Sequence, residues 1–275
     1  MQEAVTTGQP RVHRLTAATF LGLALIGGLS GCGTASNTAR EDAAYVTQSD
    51  ETEIHRRARI RLELAASYFQ TGRATIALDE IKQVLALDPS NGDAYNMRGL
   101  IYMQLGEPDI ADESFSKAQS LKPTDANIMH NHGWLLCQEK KYDAADRYFN
   151  QALVQRQYFQ QAKTLMAQGL CHEAAGKPAE AEASLLKAYE YDAGNPVVSF
   201  NLAKLMNQRG DPRRAQFYIR RLNNGELANS ESLFLGIQIE KALGDGASAR
   251  ALAAQLQKRF PDSKEAARIA GGGVL

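Results

Sequence analysis

Hydrophobic and polar positions divide this 275-residue chain into three stretches of different character. Residues 1–14 are polar and include Arg11, His13 and Arg14, and Leu15 to Leu29 then runs without a charge. Those 15 residues fall short of the roughly 20 that a membrane-spanning helix needs, and a basic region, a short apolar run and small residues, in that order, form the layout of a signal peptide. From Gly33 to about Asp50 the chain is polar and small, without apolar periodicity. That stretch predicts a flexible tether with a reach on the order of 25 Å. Past residue 50 the pattern repeats itself. Ala77, Ala111, Ala145, Ala181, Ala215 and Ala249 follow one another at steps of 34, 34, 36, 34 and 34. Five residues before each stand Gly72, Gly106, Lys140, Gly176, Gly210 and Gly244.

A period of 34 is that of a helix-turn-helix unit, and the residue types have physical reasons. The recurring alanine lets two helix backbones approach closely, and glycine between the helices adopts a left-handed conformation without a side-chain penalty. Gly99, Tyr102, Phe115, Ala118 and Pro123 fill further places of one unit, and this set resembles the tetratricopeptide repeat (TPR). The resemblance implies an all-α, right-handed TPR superhelix of six units, near 58–91, 92–125, 126–159, 162–195, 196–229 and 230–263. Gln160 and Gln161 are the two extra residues, and Pro89, Pro123 and Pro261 close their units. The solenoid is expected over 53–270, with a short capping helix from Lys264 to Ala270 and a flexible tail over 271–275.

Leu29-Ser30-Gly31-Cys32 resembles the lipobox of bacterial lipoproteins. The resemblance implies removal of residues 1–31, acylation of Cys32 as the new N-terminus, and a lipidated tether over 32–52. Several acyl chains would hold such a protein durably, where a single chain holds only marginally. Gly33 follows the cysteine where aspartate favours inner-membrane retention in lipoproteins of this kind, so the expected location is the outer membrane, facing the periplasm.

Charge and chemistry narrow the function further. Lys plus Arg and Asp plus Glu both number 31, so no net field draws the chain to nucleic acid. The sequence lacks G-x-S-x-G, a P-loop, H-E-x-x-H and a dinucleotide fingerprint, and neither an enzyme nor a cofactor is expected. His130 and His132 stand two apart, about 200° around a helix, and His172 and Glu173 diverge by about 100°, so no shared metal ligation is expected from either pair.

A solenoid offers a long concave wall, and such walls bind polypeptides. In TPR superhelices helix A lines that wall, chiefly at the second, fifth, ninth, twelfth and thirteenth places. Here those places give Arg59, Leu62, Phe69, Asn96, Leu100 and Met103. His130, Trp134 and Gln138 follow in the third unit, Met166 and Leu170 in the fourth, and Phe200 and Phe234 beyond. Such a strip suits an amphipathic helix or an extended apolar segment, with Trp134 as anchor and Phe69, Met103 and Trp134 exposed. Leu62 and Ala66 stand where the carboxylate clamp of chaperone-binding TPR domains needs lysine and asparagine. Cys137 and Cys171 fall on neighbouring A helices, where an oxidising compartment permits a disulfide; otherwise they are small buried apolar residues.

The address, the six units and the string His130-Asn131-His132-Gly133-Trp134-Leu135-Leu136-Cys137 together resemble the type IV pilus biogenesis and stability lipoproteins called PilF or PilW. The resemblance implies a monomeric, non-enzymatic pilotin that binds the secretin of the pilus machine and promotes its localisation and multimer assembly. A different TPR lipoprotein, one that recruits cell-wall hydrolases or export components, would have the same anchor and groove.

Overall fold

The computed structural model describes residues 51–271. The expected signal sequence, Cys32, the expected tether up to residue 50 and the expected tail from residue 272 lie outside the described residues. Glu51 and Thr52, at the end of the expected tether, take part in the fold: Glu51 forms a two-pronged ion pair with Arg59, both contacts at 3.1 Å, and Thr52 caps the first helix.

The described chain is helical, with helices paired by short turns. Helix α1 (Glu53–Gln70) packs on α2 (Ala74–Leu87), α3 (Gly92–Leu105) on α4 (Pro108–Leu121), and α5 (Ala126–Gln138) on α6 (Tyr142–Leu153). In the same way α7 (Gln161–Ala174) packs on α8 (Pro178–Tyr191), α9 (Pro196–Gln208) on α10 (Pro212–Asn223), and α11 (Ser230–Ala242) on α12 (Gly246–Arg259). A seven-residue helix, α13 (Lys264–Ala270), rests on α11 and α12. No described helix is long and apolar enough to cross a membrane.

One contact repeats within the pairs. With the first helix of each pair termed A and the second B, Ile81, Phe115, Phe149, Leu185 and Ile219, at one place in successive B helices, are at most 1% exposed. Each stands 16 residues after Ala65, Gly99, Gly133, Gly169 or Ala203 of its own A helix. The small residue is what admits the large one: a β-carbon on Gly169 would lie 2.6 Å from Leu185 Cγ. Burying such a side chain contributes on the order of 2 kcal/mol, so each of these A–B contacts stabilises its unit.

The turns share one conformation. Gly72, Gly106, Gly176, Gly210 and Gly244 have φ between 72° and 84°, and Lys140 takes the same left-handed place at φ 62°. At each turn two backbone N–H groups reach back to the end of helix A, as Lys140 N to Cys137 O at 3.0 Å and Lys141 N to Leu136 O at 2.8 Å. The A helices and α13 begin on side-chain caps: Thr52, Asn91, Asp125, Asn195, Asn229 and Ser263 each accept a backbone N–H. Helix α7 is the exception, since Gln160 makes no such bond. This is the point of the two extra residues, where α6 stops at Leu153 and the chain runs irregularly to Gln160.

Successive units are joined by a polar contact that also keeps the period. In the second to fifth units the residue after the recurring alanine, on helix B, bonds to the following unit. Asp112 accepts from His132 at 2.8 Å, Asp146 from Gln168 at 2.7 Å and His172 at 2.9 Å, and Glu182 from Arg209. Gln216 donates to Glu240 at 2.7 Å, and Glu240, 1% exposed, also receives Arg220 at 2.7 and 3.1 Å. Glu240, as a buried carboxylate, needs such partners, and together these contacts tie one unit to the next.

Candidate protein-binding groove

The helix contacts decide which face is concave. Each A helix lies backbone to backbone with the A helix of the next unit, from α1 through α11, and α11 with α13, whereas the B-helix backbones stay farther apart among the described residues, α8 and α10 meeting through side chains such as Tyr189 and Tyr218. Elements that converge form the inner wall of a curved array, so the A helices line the groove.

On that wall the expected strip is half-buried rather than open. Leu62 and Phe69 pack against Ala58, Ala65 and Ile101, and Leu100 and Met103 against Phe115 and Leu135. Trp134 leans on Leu136, Cys137 and Ala167, Met166 packs against the core of the fourth and fifth units, and Leu170 is half-buried as well. Phe69, Met103 and Trp134, expected to stand exposed, are each half-buried. Asn96 accepts from Asn131 of the next A helix at 3.0 Å, so part of its hydrogen-bonding capacity joins units instead of facing a guest.

His130 does not line the groove. It is 5% exposed, with Nδ1 2.8 Å from the hydroxyl of Thr164, which also meets the hydroxyl of Tyr158, itself 4% exposed. If Tyr158 donates to Thr164 and Thr164 donates to Nδ1, no hydroxyl proton is left without an acceptor and the imidazole is neutral. Burial, with a smaller contribution from the charge of Lys163, lowers the pKa of His130 from 6.5 to about 4. The physical reason for the misplacement is the irregular segment after α6: it carries Tyr158 onto the junction of the third and fourth units, which the repeat register does not anticipate. His132 turns the other way, to Asp112, and His172 to Asp146, so each imidazole is used to join units.

Cys137 and Cys171 are bonded to each other across α5 and α7, with Cα atoms 5.8 Å apart. The bridge ties two neighbouring A helices within the apolar cluster that Trp134 packs against.

Residues that sequence reasoning missed lie at the far end. A depression of about 470 Å³ opens between α9, α11 and α13, with Phe200, Phe234 and Leu235 beside Lys204, Asn207, Gln238 and Arg268. Phe200 and Phe234 were expected on the concave face; the cap-helix residue Arg268 was not, because α13 stands outside the 34-residue register.

These features define a TPR solenoid with a polypeptide-sized concave wall. Tetratricopeptide-repeat family models match residues 92–125, 130–196 and 173–231. Among solved structures the chain is similar to PilF of Pseudomonas aeruginosa, with 25% identity and a TM-score of 0.72, over 80% of this chain and 100% of that one. It is similar also to PilW, described as a widely conserved type IV pilus biogenesis factor, with 30% identity and a TM-score of 0.71 over the same shares. YrrB, a TPR protein with an unusual peptide-binding site, shares the fold at 14% identity and a TM-score of 0.55, over 70% of this chain and 97% of its own. No curated protein matches the sequence. The chain belongs to the type IV pilus biogenesis TPR family of PilF and PilW.

Proposed function

We propose that this protein is a non-enzymatic, outer-membrane lipoprotein that binds the secretin of the type IV pilus machine and promotes its localisation and multimer assembly. The observation that carries the reading is the strip of half-buried apolar side chains, Leu62 to Leu170, on A helices that touch one another. A guest helix or extended segment completes the burial of Phe69, Met103 and Trp134 without demanding fixed polar partners. Kinship with PilF and PilW directs that groove to pilus biogenesis.

Acylated Cys32 would confine the groove to the periplasmic face of the outer membrane. Confinement raises the effective concentration for a secretin segment that must insert there, without any added contact. The anchor and the wall then act as one device: the first sets where the subunit is held, the second which subunit is held.

Affinity capture from detergent-solubilised envelope tests the reading. Secretin is expected among the captured proteins, and Trp134→Ala is expected to lose it while retaining the helical circular dichroism signal. Capture of cell-wall hydrolases or export components in place of secretin would assign the same groove to a different envelope adaptor.

A further inference from the structure

The depression between α9, α11 and α13 lies beyond the strip assigned to the secretin, and its chemistry is different. Phe200, Phe234 and Leu235 form an apolar floor. Asn207 and Gln238 open onto it with side-chain amides that have no hydrogen-bond partner among the described residues. Of the cations at the rim, Lys204 is 2.6 Å from Glu173, and Lys264 is 3.4 Å from Glu231 and 3.7 Å from Glu265. Arg268 has no carboxylate partner among the described residues; its guanidinium lies over the Phe234 ring, 4.4 Å from the centroid.

A guanidinium seated on an aromatic ring is oriented but not neutralised, and it can take a carboxylate in a two-pronged bond. The amides match the donors and acceptors of a peptide backbone, and the floor matches one apolar side chain. Glu231 and Glu265 share the wall with Arg268, and both face Lys264. We propose that this depression is a second polypeptide site, which takes an extended segment carrying an aspartate or glutamate beside a leucine or aromatic residue. The inference rests on the reading of the A-helix face as a polypeptide-binding wall, but not on secretin as the guest.

The test is selection of random twelve-residue peptides on the full chain in detergent, followed by affinity measurement with one synthetic peptide of the enriched sequence. Wild type is expected to enrich an acidic residue next to an apolar one. Arg268→Gln is expected to lose the acidic preference and to bind the synthetic peptide about tenfold more weakly, a loss of ~1.4 kcal/mol. Changing the peptide's acid to its amide should cost wild type the same factor and cost Arg268→Gln almost nothing. Arg268→Lys should recover part of the affinity, and Phe200→Ala should weaken binding while leaving the acidic preference. No enriched peptide, no acidic preference, or equal affinity of wild type and Arg268→Gln would overturn the proposal. Affinity lost in Trp134→Ala but kept in Arg268→Gln would place the peptide on the strip of the first four units, leaving the proposed function standing and this site refuted.

Discussion

Phe115 occupies the space that a side chain on Gly99 would need: a β-carbon there would stand 2.5 Å from Phe115 Cε1. In an open helix, replacing glycine by alanine stabilises by roughly 0.5–1 kcal/mol, because glycine loses more freedom on folding. Here the sign reverses. The ring is fully buried and cannot withdraw, so Gly99→Ala should destabilise by about 1–3 kcal/mol through overpacking. Urea unfolding followed by circular dichroism checks it, and a midpoint equal to or above wild type would contradict the A–B packing described.

Lys140 is the counterpart at the turns. It stands at φ 62° where the other five units have glycine, a conformation that costs a residue with a side chain roughly 1–2 kcal/mol. Glycine removes that cost but gains unfolded-state freedom, which offsets part of the benefit, so Lys140→Gly is expected to stabilise the third unit by about 1 kcal/mol or less. Local hydrogen exchange in α5 and α6 should slow correspondingly.

Acid should weaken the junction of the third and fourth units. His130 has a folded pKa of about 4, below its ordinary 6.5. For a base depressed in the folded state, the unfolded chain binds the proton more readily. Stability is therefore flat above pH ~6.5 and falls between ~6.5 and ~4, by on the order of 3 kcal/mol in total. His130→Asn should lower stability at neutral pH and flatten that fall. A titration of unfolding midpoints in which both proteins keep the same slope would remove His130 as its source.

The Cys137–Cys171 bridge closes a separation of 34 residues, and chain-entropy arguments assign such a bridge about 3–4 kcal/mol. In a Cys32→Ser background, thiol titration of denatured, unreduced protein should find no free thiol. Reduction, or the Cys137→Ala variant, should lower the melting temperature, most sharply for α5 and α7.

The fold was legible because its physics is periodic. Close approach of two helices calls for alanine at 77, 111, 145, 181, 215 and 249, and reversal calls for a left-handed residue five places earlier; both recur at one spacing that the eye can follow. The groove was legible only as a set of positions. How far Phe69 or Trp134 is covered depends on the rotation between units, and that rotation is set by contacts such as Asp112 with His132 or Glu240 with Arg220. Those partners are 20 residues apart in sequence and leave no local pattern. His130 was misplaced because Tyr158, from a segment outside the register, meets the same hydroxyl. The depression at Arg268 escaped for a related reason: a wall made by a cap helix has no earlier copy in the chain to reveal it.

Deletion of the gene, followed by immunoblotting of envelope fractions for secretin, tests the central claim most directly. The account predicts that secretin monomers persist while outer-membrane multimers vanish, and that wild-type protein restores them where Trp134→Ala does not. Normal secretin multimers in the outer membrane of the deletion strain would contradict it.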